Sequence, residues 1–375
     1  MSNNKEKLKL IVLKSALELG QKVDNHLQSF YDTNSSFILP TKEVWFSDGH
    51  GKVELLDSVR DQDVYIFQDI GNYSLEYKMH GFINHTSPND LNQQLKDTVG
   101  ACKCHPNSLS IIMPLLYAGR QHRRNGREAL SCAANLRELD VDPYIKRLIT
   151  FDAHDEGVQQ ALAYTEFDNF FATNVMLEEF INDTDMEQLM DVIFVAPDGG
   201  AAGRRDFYLN SFNSPYITKD AGSFYKKRDY NTIVDGKNPI IEHSYSGNQN
   251  IKGKTAIVVD DMIASGGSMF DVIDELKKRG VEHIYVMCTF ALFTNGIDKF
   301  NKYYEDKKFD GIYTTNVSYI DSNYKKEEWL HVVDCSEYIA KIIYTLNNQE
   351  SISPLLRDKS YPGKVLAKKF EAYNK

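Results

Sequence analysis

The stretch TAIVVDDMIASGGSMFDVIDELKKRG, residues 255–280, leaves few folds open to this chain. An apolar, β-favouring run ends in Asp260-Asp261, and a loop of small residues, 264–268, follows. Met269, Val272, Ile273 and Leu276 then recur at helical spacing until Gly280. The order strand, acidic pair, loop and helix belongs to parallel α/β sheets, whose ligands bind beyond the carboxyl ends of the strands. Gly266 and Gly267 let backbone N–H groups turn inward, Ser265 and Ser268 add hydroxyl donors, and a helix start contributes positive potential, so the loop suits a phosphate monoester. Asp260 and Asp261 are then placed for sugar hydroxyls or a bound metal.

Further runs of the same kind are VYIFQ at 64, LSIIMP at 109, RLITFDAH at 147, DVIFVAPD at 191 and HIYVMCTF at 283. Several end in an acidic or small residue and a turn rather than a tight hairpin, which predicts parallel α/β units and puts Asp152 and Asp198 at strand ends as well. The acidic stretch EEFINDTDMEQ marks a boundary near 168–190. Ahead of these, Leu10, Leu13, Ala16 and Leu17 fall at helical spacing with Asn3 or Asn4 as cap, which predicts a surface helix. Charged residues interrupt that segment, so no signal peptide or membrane span is expected.

Across 375 residues, 43 Lys and Arg stand against 53 Asp and Glu, a net charge of −10 that argues against a nucleic-acid binder. Five cysteines in no regular framework suit a reducing compartment, and the cytoplasm is the expected location. Against this acidic background, GRQHRRNGRE at 119–128 gathers Arg120, Arg123, Arg124 and Arg127, whose guanidinium forks suit polyphosphate oxygens; a solvated charge run would read the same way. GNQNIKGKT at 247 imitates a phosphate loop but has the wrong spacing and precedes a strand, and Cys102-Lys103-Cys104-His105 has no second cysteine pair for zinc.

Together, several motifs in one order resemble the ribose-phosphate pyrophosphokinase (phosphoribosyl pyrophosphate synthetase) family over residues 41–355. They are WFSDGHGKVELLDSVRDQDVYIFQ at 45, PLLYAGRQHRRNGREALSCAANLRE at 114, TFDAHD at 150, VAPDGGAAGRR at 195, the 255–280 loop, CTFALF at 288, TTN at 314 and NQESISPLL at 348. The resemblance implies an α/β fold of two tandem phosphoribosyltransferase-like domains, each a mostly parallel sheet flanked by helices. The expected layout is an N-terminal helical extension over 1–33, domains over 34–175 and 176–345, and a tail over 346–375. It also implies Mg²⁺-dependent transfer of the β,γ-diphosphoryl group of ATP, a co-substrate, to ribose 5-phosphate, run by positioning and charge stabilisation.

By the same resemblance Phe46, Asp48, His50, Arg120, Gln121 and Arg123 hold ATP. Asp198, Asp260, Asp261, Ser265, Gly266, Gly267 and Ser268 hold the ribose phosphate. His154 and Asp198 meet the metal, and Lys226 and Arg228, in YKKRDY, stabilise the transfer from the start of a mobile loop, with His154 also counted as catalytic. The loop with Phe46 reaches a neighbouring subunit in family members, so a dimer-based homo-oligomer is expected, with a hexamer as one form, and neither nucleic acid nor membrane as partner. The chain departs from the pattern at Ala264, where an acid is usual, at His50 for Glu, at His122 for Asp, at Phe290 for His, and through extra residues over 70–90. The missing acid leaves open a larger ribose-ended acceptor such as ADP-ribose; a non-catalytic regulatory homologue is the reading from another class. Retention of Lys226, Arg228, His154 and Asp198 speaks against the latter.

Overall fold

The computed structural model describes residues 4–124, 126–228, 240–357 and 359–374. Its contacts divide the chain into two units: Met1–Phe171 with Asn316–Asp321 and Asp334–Arg357, and Ala172–Thr315 with Ser322–Val333 and Asp358–Lys375.

Along the first stretch the elements are β1 (Leu8–Val12), α1 (Leu17–Phe30), β2 (Thr41–Trp45), β3 (Gly51–Leu55), β4 (Asp63–Phe67), β5 (Glu76–Met79), β6 (Phe82–His85), α2 (Pro88–Ala101), β7 (Ser108–Ile112), α3 (Ser131–Asp140), β8 (Ile145–Phe151) and β9 (Glu166–Phe170). β1, β4, β7, β8 and β9 lie side by side in that order, every pair parallel. Strands covered on both faces read as continuous apolar runs, and Val64, Ile66, Phe67, Leu109, Ile111, Ile112, Leu148, Ile149 and Phe151 are all buried. β2 with β3 and β5 with β6 form separate antiparallel hairpins.

The second stretch continues with α4 (Thr173–Asp183), β10 (Asp191–Ala196), α5 (Ala202–Ser211), β11 (Thr218–Arg228), β12 (Ile240–Gly247), β13 (Thr255–Ile263), α6 (Gly267–Lys278), β14 (His283–Ala291), α7 (Asp298–Glu305), β15 (Gly311–Thr315) and β16 (Leu330–Val333). The sheet order is β12-β11-β10-β13-β14-β15-β16, parallel except for β12 against β11. After β16, α8 (Ser336–Asn347) belongs to the first unit and α9 (Tyr361–Tyr373) to the second, with a short helix, Ser353–Arg357, between them. α9 seals the end of α4, where the Lys369 ammonium donates to the carbonyls of Ile181 and Thr184, two acceptors a helix end otherwise leaves unpaired.

All six apolar runs of the sequence are strands, namely β4, β7, β8, β10, β13 and β14. The N-terminal surface helix is corrected: only Asn4–Lys7 is helical there, Leu8–Val12 is a strand of the first sheet, with Leu10 and Leu13 fully buried, and the long helix begins at Leu17. The helical spacing there spans a strand, a turn and the start of a helix. The acidic stretch at the expected boundary is largely α4, and the units divide at Phe171 and Ala172. Residues 316–321 and 334–357, expected in the second domain and tail, group with the first unit. Two contacts explain this. Asp69 accepts from the N–H of Gly71 (2.9 Å), the Ser318 hydroxyl (2.8 Å) and the N–H of Tyr319 (2.7 Å). On α8, Tyr344 packs on the rings of Phe30 and Tyr31, while the Asn347 amide donates to Asn4 O at 3.0 Å and Tyr31 Oη at 2.7 Å.

Candidate active site

In the second unit β13 runs through Asp260 and Asp261 to Ile263, two residues further than the acidic pair suggested as its end. Residues 264–266 then turn the chain into α6. Gly266 makes that turn with φ +79°, and a Cβ there would lie 2.5 Å from the ring of Phe300. Only glycine meets both conditions. The N–H groups of Gly267, Ser268 and Met269 stand in the first turn of a helix whose opposite face is anchored by buried Met269, Val272, Ile273 and Leu276. Such a start offers unpaired donors and positive potential to an anion.

The acid pair is held at the sheet's carboxyl edge. The Asp260 carboxylate accepts the N–H of Asp261 at 2.9 Å, and the Asp261 carboxylate that of Met262 at 2.8 Å. Burial raises the Asp260 carboxyl well above the ordinary carboxylate range and Asp261 adds to the rise; the Arg204 guanidinium, 4.0 Å away on α5, opposes it. β10 lies next to β13 in the sheet, so Asp198 follows the neighbouring strand and its charge adds to the repulsion on Asp260. One Asp198 oxygen accepts the N–H groups of Gly200 (2.8 Å) and Ala201 (3.2 Å), fixing the carboxylate at the start of α5. The structure thus brings Asp198, Asp260 and Asp261 to one edge. Arg204 was missed by the sequence reading; an arginine pair one turn after Asp-Gly-Gly was its signal.

Lys226 and Arg228 lie at the end of β11, opposite His243 and Ile240 of β12; their side chains, and residues 229–239 that follow, fall outside the described residues. The chain is described again from Ile240, where β12 runs to Gly247. β11 pairs with β10 as far as Ser223, so Lys226 and Arg228 stand beyond the carboxyl end of β10.

In the first unit the loops after β7 and β8, adjacent parallel strands, carry the second group. Tight turns at Ala118 (φ +54°) and Gly119 present Arg120 and Gln121, both exposed. His154 sits just past β8, after the positive-φ residue Asp152. The rings of His122 and His154 are 5.2 Å apart, and Asp155 joins the two loops through His122 Nε2 at 3.4 Å and Arg123 Nη2 at 3.3 Å. The Gly157 N–H, then His122 and Arg123, hold the Asp155 carboxyl below its usual range. Asp155 was not singled out from sequence, although it directly follows His154. Phe46, Asp48 and His50 occupy the β2–β3 turn, where Phe46 is 49% exposed, and Asp48 accepts the His50 N–H at 3.1 Å. This contact and the His50 ring lower the Asp48 carboxyl.

Among the described residues no three His, Cys, Asp or Glu side chains gather as a metal cage. The exposed imidazole of His154 in the first unit, and in the second the exposed Asp198 carboxylate fixed through one oxygen, are each of a kind that suits a hard divalent ion bringing phosphate oxygens as most of its ligands. Cys102 is fully buried and His105 is bonded to the Tyr144 hydroxyl, so the Cys-Lys-Cys-His stretch is structural. No helix among the described residues is long and apolar enough to cross a membrane.

Comparison with known proteins bears on the whole chain. Residues 8–141 match the N-terminal domain of ribose phosphate pyrophosphokinase, and residues 215–357 match the phosphoribosyl synthetase-associated domain. Similar proteins include a ribose-phosphate pyrophosphokinase of Gloeobacter violaceus, 26% identical over 83% of this chain and 84% of its own length. Another, from Neisseria meningitidis, is 24% identical over 93% and 94% of the two chains. Among solved structures, phosphoribosylpyrophosphate synthetase from Mycobacterium smegmatis superposes with a TM-score of 0.69 at 19% identity, covering 92% of this chain and 99% of that one, a likeness of fold.

Proposed function

The chain belongs to the ribose-phosphate pyrophosphokinase family, and from that premise we propose that it moves the β,γ-diphosphoryl group of ATP to the anomeric hydroxyl of ribose 5-phosphate. The products are phosphoribosyl pyrophosphate and AMP. The observation that carries the reading is the acid pair leading into a left-handed glycine at the start of α6, a seat for a phosphorylated sugar at the carboxyl edge of the sheet.

In this reading the first turn of α6, with Ser265 and Ser268, takes the 5-phosphate, while Asp260 and Asp261 accept hydrogen bonds from the ribose hydroxyls. Arg204, 4.0 Å from Asp260, offsets part of the rise that burial and Asp261 impose on that carboxyl. Arg120, Gln121 and Arg123 hold the triphosphate, Asp155 orients Arg123, and Phe46, Asp48 and His50 seat the base. The anomeric oxygen then forms a bond to the β-phosphorus as the bond from that phosphorus to the bridging oxygen of AMP breaks; the hydroxyl proton leaves to solvent. Lys226 and Arg228 supply cationic stabilisation to the transferred group. His154 and Asp198 would hold Mg²⁺, which supplies charge neutralisation of the polyphosphate.

The same reading places the protein in the cytoplasm, where its five free cysteines stay reduced, and as a homo-oligomer built on dimers. The names of its relatives favour ribose 5-phosphate over a larger ribose-ended acceptor. Purified protein with Mg²⁺-ATP and ribose 5-phosphate, followed for AMP release with mass detection of the product, tests this. Phosphoribosyl pyrophosphate is the expected product; AMP release with ADP-ribose alone, or none with either acceptor, overturns the reading.

A further inference from the structure

The extra residues over 70–90 form a hairpin that leans on the turn carrying Phe46, Asp48 and His50. β5 and β6 pair through Tyr77 with Asn84 and Met79 with Phe82, and His80-Gly81 closes them with φ of +49° and +84°, a two-residue turn that matches the strand twist. Three contacts join this hairpin to the β2–β3 hairpin. The Tyr77 ring stacks on Trp45, the residue before Phe46, with centroids 4.6 Å apart and planes 17° from parallel. The His80 N–H donates to Ser47 O at 3.0 Å. Met79 lies under Gly49, so close that a Cβ on that glycine would sit 2.5 Å from its sulfur.

The hairpin is rooted at both ends. At its start the Asn72 amide donates to Ser15 O at 2.7 Å, and Thr86 donates through its hydroxyl to Asn72 O at 3.0 Å. At its end Ser87 caps α2 reciprocally with Asp90, with Pro88 in the first helical turn. α2 also reaches the β2–β3 hairpin, where Gln94 donates to the Glu43 carboxylate at 2.9 Å. A two-stranded hairpin alone is marginal in water, and a turn at its tip samples many poses. Here the tip is clamped by an aromatic stack, a backbone hydrogen bond and a thioether contact from an element fixed to the body of the unit.

We propose that the β5–β6 hairpin is a brace that holds the β2–β3 turn in its nucleotide-binding pose, with Tyr77 as a positioning residue that acts on ATP through Trp45. The proposal rests on the reading of that turn as the adenine seat. A pre-set turn loses less freedom on binding, so the brace acts on nucleotide affinity and not on the chemical step.

The test is Tyr77→Ala beside Tyr77→Phe, which keeps the stack, in the full-length protein. AMP release is measured with each substrate varied in turn, and α,β-methylene-ATP with Mg²⁺ is titrated by tryptophan fluorescence. The chain has two tryptophans, and Trp329 is buried, so the half-buried Trp45 reports the turn. In Tyr77→Ala the KM for ATP and the analogue's Kd should each rise about 3- to 10-fold, the worth of an aromatic stack. The KM for ribose 5-phosphate and kcat should stay unchanged, and Tyr77→Phe should match wild type. Met79→Ala, altering a separate contact, should move the same two constants in the same direction and carries the comparison if Tyr77→Ala does not fold. Active wild type with no change of nucleotide affinity in Tyr77→Ala and Met79→Ala overturns the brace alone. Wild type that neither releases AMP nor binds the analogue overturns the catalytic reading, and the brace with it.

Discussion

Two residues carry much of the candidate acceptor site. Gly266 combines a left-handed backbone with a wall formed by Phe300, so Gly266→Ala adds backbone strain to overpacking. The substitution should cost about 2–4 kcal/mol in a urea titration, and the displaced helix start should lower kcat/KM for ribose 5-phosphate on the order of 10²-fold. Asp260 works in the opposite sense. Its carboxyl is raised above the value it would have in an unfolded chain, so the folded state holds the proton more tightly. Stability is therefore lost as pH rises from the ordinary carboxylate range through the raised value. Asp260→Asn should raise the denaturation midpoint at neutral pH, give a gain that shrinks toward about pH 4, and abolish AMP release. A stability gain that is constant across this range would contradict the assignment. Both residues were legible in the sequence, because the acid pair and the glycines sit within one short segment. Arg204 and Tyr77 were not: each matters through a partner far away in the chain, Asp260 or Trp45, and no local pattern records such a pairing.

At the scale of elements, the parallel strands were legible for a physical reason: both faces of each are covered, so the apolar residues are consecutive and bounded by turns. β1 was misread because its apolar residues are continued by those of the turn and helix after it, and together they imitate one helical stripe. Burial separates the two readings. Leu10 is fully buried on β1, with β4 on one side and the 37–39 segment on the other, so Leu10→Ala should destabilise by about 2–5 kcal/mol in urea. On a surface helix the same change would fall within about 0.5 kcal/mol. β12 was likewise hidden, since its residues, IIEHSYSG, owe their strand to pairing with β11 rather than to an apolar pattern of their own.

For the whole molecule, two α/β units were legible and their membership was not. Sequence boundaries assume contiguous domains, whereas 316–321 and 334–357 return to the first unit through Asp69 and α8. A fragment of residues 1–171 should therefore melt with low cooperativity by circular dichroism, and joining 334–357 to it through a flexible linker should restore a sharp transition. If the fragment alone unfolds as sharply as the joined form, the return segments are dispensable to that unit.

Synthesis meets the same arrangement as a delay. When β9 leaves the ribosome, the face of α1 that α8 will cover is still bare, with the partners of Asn4 and Tyr31 on Asn347 not yet made. At the usual pace of elongation the wait from residue 171 to α8 lasts roughly 10–30 s. During that time the start of the chain exposes an apolar helix face, so nascent chains stalled between these points are the species on which chaperones should be found.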